Sequence, residues 1–274
     1  MKKKILIIYE FNDETGKGHK ARAKILYNQL LNKSYDVKII NLNKFNKISN
    51  LKSYDLYILD LKNYLHKKLK KLKRNYKKIL TIDNFDNNFG DLNISIFEHN
   101  NKLNEKKRVS GLKYILFNNK LKIKNLISQN LVFISLGYII NKKKIDFVKK
   151  IININKNYNF VLAPNFKSNI SSKKNIKIAN KKNYFKYLKK SNFCITNAGN
   201  TLIEALYFNK KCLVLPQTRK EKTFANYLAS KKIIINYNKS LYFDLKNIVR
   251  FNFKNKLDKK GFDRINKLIK KLIK

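Results

Sequence analysis

Residues 193–206 read Phe193-Cys194-Ile195-Thr196-Asn197-Ala198-Gly199-Asn200-Thr201-Leu202-Ile203-Glu204-Ala205-Leu206, and the interpretation of the chain starts from them. The apolar residues 193–195 are typical of the end of a buried strand. Residues 196–200 are small and polar with one glycine, which predicts a tight turn. From Thr201 the apolar residues recur at helical spacing, so that Asn200 or Thr201 is the expected N-cap. The stretch therefore predicts a strand, a glycine turn and a helix N-terminus.

This turn and the start of the helix form a candidate phosphate site. Backbone N–H groups at a helix N-terminus, together with the helix dipole, attract phosphate. Glu204, about one turn into the helix, is placed to accept hydrogen bonds from sugar hydroxyls beside that phosphate. The plain alternative is an ordinary strand-to-helix connection in an α/β protein with an exposed glutamate. The stretch alone does not decide between the two interpretations.

Apolar strand segments alternate with helical segments along the whole chain. Six strands are predicted before the polar stretch 118–130 and six after it, at residues 4–9, 37–42, 56–59, 79–82, 94–97, 114–117, 131–136, 160–163, 176–179, 193–195, 213–215 and 233–235. Such alternation predicts βαβ units and parallel sheets. The sequence therefore predicts an α/β protein with an N-terminal Rossmann-like domain, residues 1–124, and a C-terminal one, residues 125–274.

The segment 261–274 predicts an amphipathic helix, with apolar residues on one face and almost only lysine on the other. This last helix is a candidate to pack back toward the N-terminal domain. Its lysine face would also suit an anionic membrane surface, but packing of the helix on a sheet is the commoner arrangement.

The formal net charge of +46 raises the question of nucleic-acid binding. The positive residues are almost all lysine, whereas sequence-reading proteins favour the bidentate guanidinium of arginine. The lysines are also spread along the chain, and asparagine and isoleucine are enriched with them, as a biased base composition would produce. We therefore expect no specific nucleic-acid partner, and only weak attraction to polyanions and anionic surfaces.

Composition also limits the other classes of protein. No stretch of eighteen uncharged apolar residues is present, so no stable membrane insertion is expected. The basic first residues lead into a short strand rather than a signal peptide. Cys194 and Cys212 lie in apolar runs, which suits reduced, buried thiols in a cytoplasm. Two cysteines and three histidines without ligand spacing argue against a zinc site, and no metal or cofactor is expected.

A second motif, Gly16-x-Gly18-His19-x-x-Arg22, follows the first predicted strand and opens the first helix. It lacks the third glycine of the dinucleotide fingerprint and the Gly-Lys-Ser/Thr of a phosphate-binding P-loop. It does place a histidine at a helix N-terminus, where the dipole favours a neutral imidazole that can take a proton from water. Taken alone, His19 is more often a surface residue and Arg22 a salt-bridging helix residue.

Five blocks together resemble the nucleotide-sugar hydrolases of the pseudaminic acid pathway, which are related to the spore-coat polysaccharide protein SpsG and more distantly to the glycosyltransferase MurG. The first is the motif that contains His19. The others, in order, are Ile82-Asp83-Asn84, residues 110–116, residues 133–137, and Ala198-Gly199-x-Thr201-x-x-Glu204-Ala205 followed by residues 211–216. The blocks span positions 5 to about 230.

The resemblance implies a GT-B-like architecture, with two Rossmann-type parallel-sheet domains and the substrate in an interdomain cleft. It implies hydrolysis of UDP-2,4-diacetamido-2,4,6-trideoxy-β-L-altropyranose for pseudaminic acid and polysaccharide biosynthesis, with His19 as the general base that activates water. Gly199, Asn200 and Thr201 would hold the diphosphate of the UDP-sugar, and Glu204 the ribose. The remaining candidate substrate-binding residues are Gly16, Gly18, Arg22, Asp83, Gly137, Asn197, Lys220 and Glu221.

The sequence departs from the family pattern at three positions. Tyr138 replaces a second glycine after Gly137, Asn84 replaces an aspartate, and Lys220-Glu221 stand where the family often has Asn-Gln. Because of these changes, the sequence does not specify which sugar the protein binds. Two other functions also stay open: a MurG-like glycosyltransferase that uses a UDP-sugar donor, and a non-catalytic protein of the same fold that binds polyanions or nucleotides.

Overall fold

The structure, a computed structural model, describes residues 2–11, 18–47, 53–61, 69, 78–84, 89–96, 107–117, 130–137, 142–166, 170, 174–237, 244–253 and 257–274. The chain divides into two compact units: an N-terminal unit of residues 1–118 with 258–274, and a C-terminal unit of residues 119–257. Each unit is a Rossmann-like α/β domain built on a six-stranded parallel sheet. Most of the polar stretch 118–130, which was the expected linker between the two domains, lies outside the described residues, as do Gly16 and Tyr138.

The N-terminal sheet has the spatial strand order β2-β1-β3-β4-β5-β6, and all neighbours are parallel. Its strands are β1 (Lys4–Tyr9), β2 (Asp36–Asn41), β3 (Leu56–Asp60), β4 (Ile79–Ile82), β5 (Leu92–Ser95) and β6 (Arg108–Ser110). The helix α1 (Gly18–Leu31) connects β1 to β2. The predicted strand 114–117 is wrong: a single 3₁₀ turn, Leu112–Tyr114, occupies its start, and the sixth strand lies just before it.

Alternate residues of the central strand β1 serve two separate hydrophobic clusters. Ile5 and Ile7 belong to the cluster that includes α1, whereas Leu6 and Ile8 belong to a cluster on the opposite face. All four side chains are fully buried. Because successive side chains of a strand point to opposite faces, a continuous apolar strand is stable only where both faces of the sheet are covered.

The C-terminal sheet has the order β12-β11-β10-β7-β8-β9, again with parallel neighbours. Its strands are β7 (Leu131–Ser135), β8 (Asn159–Leu162), β9 (Ile176–Ile178), β10 (Phe193–Thr196), β11 (Lys211–Val214) and β12 (Ile235–Asn236). Its helices are α2 (Lys142–Ile154), α3 (Tyr184–Lys190), α4 (Asn200–Tyr207), α5 (Arg219–Ser230) and α6 (Leu245–Arg250). Cys194 and Cys212 are neighbours across β10 and β11, and both are free and buried.

The last helix, α7 (Gly261–Leu272), belongs to the N-terminal unit. Its residues Phe262, Ile265 and Ile269 are buried in the same hydrophobic cluster as α1. The helix starts against the 3₁₀ turn at Leu112–Tyr114. None of the helices in the described part of the chain is long and apolar enough to cross a bilayer.

Gly261 allows the close approach of α7 to the 3₁₀ turn. A Cβ atom at this position would lie 2.1 Å from the carbonyl oxygen of Ile115 and 2.9 Å from its carbonyl carbon. Backbone atoms cannot move aside as a flexible side chain can, so the first turn of α7 has to shift when a side chain is added.

We therefore expect Gly261→Ala to lower the free energy of unfolding by about 3 kcal/mol, as for other overpacked sites. Helix propensity alone would raise the stability by about 1 kcal/mol, so the sign of the change separates the two effects. Urea unfolding measures it, and Lys267→Ala, at an exposed position of the same helix, is the control. A Gly261→Ala variant as stable as the wild type would show that α7 does not dock as described.

Candidate functional site

The N-terminal sheet has a topological switch point between β1 and β3. From β1 the chain passes to β2 on one side, while β3 and the later strands extend the sheet on the other side. In open parallel sheets, ligands bind outside the carboxyl ends of the strands at such a point. His19 is the second residue of α1, the helix that follows β1, and Asp60 is the last residue of β3. The fold therefore brings these two side chains to the position where α/β proteins place their sites.

His19 and Asp60 form a close pair. The imidazole Nδ1 of His19 lies 2.6 Å from Oδ1 of Asp60, and the His19 side chain remains 21% exposed while that of Asp60 is fully buried. An ionised carboxylate only accepts hydrogen bonds, so Nδ1 carries the proton in this pair. In the neutral ring, Nε2 then holds the lone pair, which leaves it able to accept a proton from a substrate or water.

Arg22 connects Asp60 to Asp83, the residue that follows β4. Its Nε and Nη2 donate to the two carboxylate oxygens of Asp60 at 2.7 and 2.6 Å, and its Nη1 donates to Oδ2 of Asp83. The other oxygen of Asp83 accepts the backbone N–H of Ile96 at 3.1 Å. The planar guanidinium thus fixes both carboxylates, and through Asp60 it fixes the ring of His19.

The charges in this cluster balance one another. Burial alone would raise the pKa of Asp60, but the charge of Arg22 and the hydrogen bonds from Arg22 and His19 lower it to about 2. Burial likewise opposes the charge on Arg22, yet Asp60 and Asp83 hold the pKa of its guanidinium well above the usual value. Asp60 is therefore ionised over the whole physiological range, which keeps the proton of His19 on Nδ1.

The sequence interpretation identified three members of this cluster and missed the fourth. His19, Arg22 and Asp83 meet as neighbours, and Gly18 begins α1 beside them. Asp60 was missed because the third strand was predicted to end at Leu59. The sequence did contain a signal for Asp60: it is a carboxylate directly after a buried apolar run, at the same sheet edge as His19.

The turn after β4 uses backbone conformations that suit short polar side chains. Asp83 has φ +52°, in the left-handed region that aspartate and asparagine tolerate best. The next residue, Asn84, is buried, and its side chain donates to the carbonyl oxygen of Phe89 at 3.1 Å. Asn84 therefore has a structural role, since its side chain holds the turn that follows β4.

The C-terminal sheet has its own switch point, between β7 and β10, where the candidate phosphate turns converge. Gly137, which follows β7, has φ +80°. A Cβ atom at Gly137 would lie 3.5 Å from Nδ2 of Asn197, and one at Gly199 would lie 3.1 Å from the same atom. The side chain of Asn197 therefore fills the space between two glycines, which lets the two turns approach each other closely.

The helix α4 begins one residue earlier than the sequence predicted. Its N-cap is Gly199 rather than Asn200 or Thr201, because Asn200 already has helical geometry. Glycine has no side chain that could accept a hydrogen bond from the first turn, so α4 starts without a side-chain cap. The backbone N–H groups of Asn200 and Thr201 therefore point from an uncapped helix N-terminus, an arrangement that suits an anion.

Glu221 joins two of the turns at this end of the sheet. One of its carboxylate oxygens accepts a hydrogen bond from Nδ2 of Asn197 at 2.6 Å, and the other accepts the backbone N–H of Gln217 at 2.6 Å. Its own backbone N–H donates to Oγ1 of Thr218, the N-cap of α5. Glu221 thus holds the turn that follows β10 against the turn that follows β11. The side chain of Lys220 lies outside the described residues.

Thr201 and Glu204 contact a tyrosine that the sequence did not single out. The hydroxyl of Tyr184, on α3, lies 2.8 Å from Oγ1 of Thr201, and Oγ of Ser135 lies 3.4 Å from the same atom. Burial raises the pKa of Glu204 to about 7, although a hydrogen bond from Tyr184 partly opposes the shift. No local pattern predicted Tyr184, since its partners Thr201 and Glu204 lie 17 and 20 residues away in the sequence.

The raised pKa of Glu204 gives a test of this network. Because the folded state binds a proton that the unfolded state has already released, wild-type stability should fall as the pH rises from about 4.5 to about 7. Glu204→Gln cannot ionise, so at pH 8 the variant should be more stable than the wild type by up to about 3 kcal/mol. Urea unfolding of both proteins at pH 5 and pH 8 measures the difference. Equal pH dependence in the two proteins would contradict the buried position of Glu204.

Comparison with known proteins finds likeness in structure alone. No protein-family model matches the chain, and no curated protein matches it. The glycosyltransferase of kitacinnamycin has a TM-score of 0.64 at 10% identity over 100% of this chain and 95% of its own. A Listeria monocytogenes protein described as a UDP-N-acetylglucosamine 2-epimerase has a TM-score of 0.63 at 11% identity over 98% and 96%. The spinosyn rhamnosyltransferase complexed with thymidine diphosphate has a TM-score of 0.58 at 12% identity over 98% and 92%. These likenesses show the fold: two Rossmann-like domains, as in the GT-B glycosyltransferases.

Proposed function

We propose that this protein is an enzyme that hydrolyses a nucleotide-activated sugar and releases UDP. The observation that carries the proposal is the contact of 2.6 Å between His19 Nδ1 and Asp60, at the switch point of the N-terminal sheet. A buried carboxylate that fixes the tautomer of a partly exposed imidazole is the arrangement of a general base. On this proposal, Nε2 of His19 takes a proton from water as the water oxygen attacks the anomeric carbon.

The C-terminal unit supplies the second part of the proposal. The uncapped N-terminus of α4, with Gly137, Asn197, Gly199, Asn200 and Thr201, would bind the diphosphate and stabilise the charge that develops on the leaving UDP. Glu204 would bind the ribose hydroxyls. This assignment is supported by the convergence of the two glycine turns on Asn197. It is also supported by solved structures of like fold, which include a protein described as a UDP-N-acetylglucosamine 2-epimerase and a rhamnosyltransferase complexed with thymidine diphosphate.

The sugar is proposed to be a diacetamido-trideoxy sugar of the pseudaminic acid type, and this step rests on the resemblance of the sequence blocks. On that basis Gly16, Gly18, Arg22 and Asp83 shape the site in the N-terminal unit, and Lys220 and Glu221 lie toward the sugar. Because both carboxylate oxygens of Glu221 already accept hydrogen bonds from the protein, its role in the proposal is to position Asn197.

A glycosyltransferase is the second candidate, because the same base can take a proton from an acceptor hydroxyl in place of water. The solved structures of like fold include several glycosyltransferases. The two reactions differ in one requirement: a hydrolase releases UDP from the donor alone, whereas a transferase releases it at a comparable rate only when an acceptor is present.

The experiment that tests the proposal is incubation of the protein with a panel of UDP-, dTDP- and CMP-sugars without an acceptor, with free nucleotide as the readout. The panel should include a UDP-linked diacetamido-trideoxy sugar. Rapid release of UDP from that donor supports hydrolysis. Release that depends on an added sugar acceptor favours the transferase, and no release with or without acceptors contradicts both enzymatic functions.

A further inference from the structure

The C-terminal unit contains a cavity that the proposed function does not use. It has a volume of about 1390 Å³ and lies at the β11–β12 end of the sheet, between α2 and α5. Its walls come from α2, α5, the segment 215–218 that follows β11, and the residues Asn236 and Tyr237 at the end of β12. Gly137, Asn197, Gly199 and Glu204 are not among its lining residues. The cavity adjoins the candidate nucleotide-sugar site, because Glu221 accepts hydrogen bonds both from Asn197 and from the backbone of the lining residue Gln217.

The charge of the cavity wall is strongly one-sided. Five of its lining side chains are cationic and one, Asp146, is a carboxylate; the cations are Lys143, Lys144, Lys150, Arg219 and Lys222. Among the described residues, no carboxylate lies within 4 Å of the charged groups of Lys143, Arg219 or Lys222. Positive charges that line the same open cavity repel one another, and an anion bound between them would relieve the repulsion.

The cavity also has an apolar part. The rings of Phe147 and Tyr237 meet edge to face, with centroids 5.1 Å apart, and Leu215 and Pro216 lie beside them in the wall. A cation-lined space with an aromatic and aliphatic wall suits a ligand that joins anionic groups to an organic carrier. The volume is sufficient for a whole small molecule, since typical ligand pockets have volumes of about 300–1,000 Å³.

We propose that this cavity binds a small organic phosphate that carries two or more negative charges. Arg219 can hold two oxygens of one phosphate group through its planar guanidinium, and the lysine ammonium groups can approach the others as point charges. The carrier of the phosphates lies against Phe147 and Tyr237. The proposal itself does not depend on the nucleotide-sugar reaction.

Inorganic tripolyphosphate is the probe that tests the anionic part of the site. Its binding to the full chain is measured by titration calorimetry at about 0.15 M salt, where attraction between distant exposed charges is largely screened. The triple variant Lys143→Gln, Arg219→Gln, Lys222→Gln should bind tripolyphosphate at least about tenfold more weakly than the wild type. Circular dichroism and the melting temperature show whether the variant is folded.

A matched triple variant controls for the high overall charge of the chain. Lys174→Gln, Lys177→Gln, Lys181→Gln removes the same charge from exposed positions near β9, at the opposite edge of the same sheet. It should change the affinity by less than about twofold. If both triple variants weaken binding equally, tripolyphosphate is held by net charge alone and the proposal is overturned.

A third variant separates the cavity from the candidate diphosphate site. Thr201→Val changes the first turn of α4 and should leave the binding of tripolyphosphate in the cavity intact. Loss of tripolyphosphate binding in Thr201→Val, with retention in the cavity triple variant, would place the anion at α4 and overturn the cavity proposal. If Thr201→Val loses UDP binding but keeps tripolyphosphate binding, UDP is bound at α4, as the proposed function requires, and the cavity proposal is supported.

Discussion

The His19→Ala variant should release UDP from its nucleotide sugar at least about a hundredfold more slowly than the wild type. General-base catalysis by a positioned side chain typically contributes 10²–10⁴-fold to the rate, and alanine offers no group that can take the proton. A large effect is expected because the imidazole of His19 is well positioned: Asp60 contacts its Nδ1 at 2.6 Å and leaves Nε2 as the proton acceptor. Single-turnover measurement of free UDP at saturating donor is the assay.

The affinity for UDP serves as the control for this variant. On the proposed function UDP is held by the C-terminal unit, so its dissociation constant should be nearly the same in His19→Ala and in the wild type. Unchanged turnover in the variant would rule out His19 as the base. Retained turnover with weakened UDP binding would instead assign His19 to the binding of the substrate.

Asp60→Ala is expected to be the most destabilising of these substitutions, with a loss of about 3–5 kcal/mol. Removal of one member of a buried charge pair leaves the other uncompensated, and Arg22 has two of its three donor contacts to Asp60. The effect should also depend on pH. Since the pKa of Asp60 is lowered to about 2, its stabilising contribution is present above about pH 4 and is lost as the pH falls toward 2.

Urea unfolding of the wild type and the variant at pH 7 measures this loss. The matched control is Asp258→Ala, which removes an exposed carboxylate, just before α7, that pairs with Arg264. Exposed ion pairs contribute about 0–1 kcal/mol, so this control should remain close to the wild type. Similar losses in the two variants would mean that the cluster around Arg22 is no more buried or better ordered than a surface pair.

The central strands of the sheets were predictable because they are buried on both faces. A parallel strand such as β1, residues 4–9, is a nearly continuous apolar run, and this pattern is visible in the sequence without any knowledge of its neighbours. The edge strand β6, Arg108–Ser110, has no such pattern and was missed, while the apolar segment 114–117 was wrongly predicted in its place. Residues 115–117 are apolar because tertiary contacts bury them, and not because they belong to a strand.

The candidate site was predictable only as far as local motifs extend. His19 and Arg22 lie on one helix. Asn197, Gly199 and Thr201 lie within five consecutive residues, so each set was visible as a short pattern. Asp60 and Tyr184 reach the site across 41 and 17 residues of intervening chain. Their positions depend on how the strands and helices pack, which no spacing rule in a single sequence specifies.

The return of α7 to the N-terminal sheet has a consequence for biosynthesis. Phe262, Ile265 and Ile269 complete a hydrophobic cluster whose other members come from the first 116 residues, so the ribosome finishes translating the whole intervening unit before that cluster can close. The second unit, by contrast, is one continuous segment and has all its own contacts available earlier. We expect the domain that is synthesised first to be the last to reach its native state.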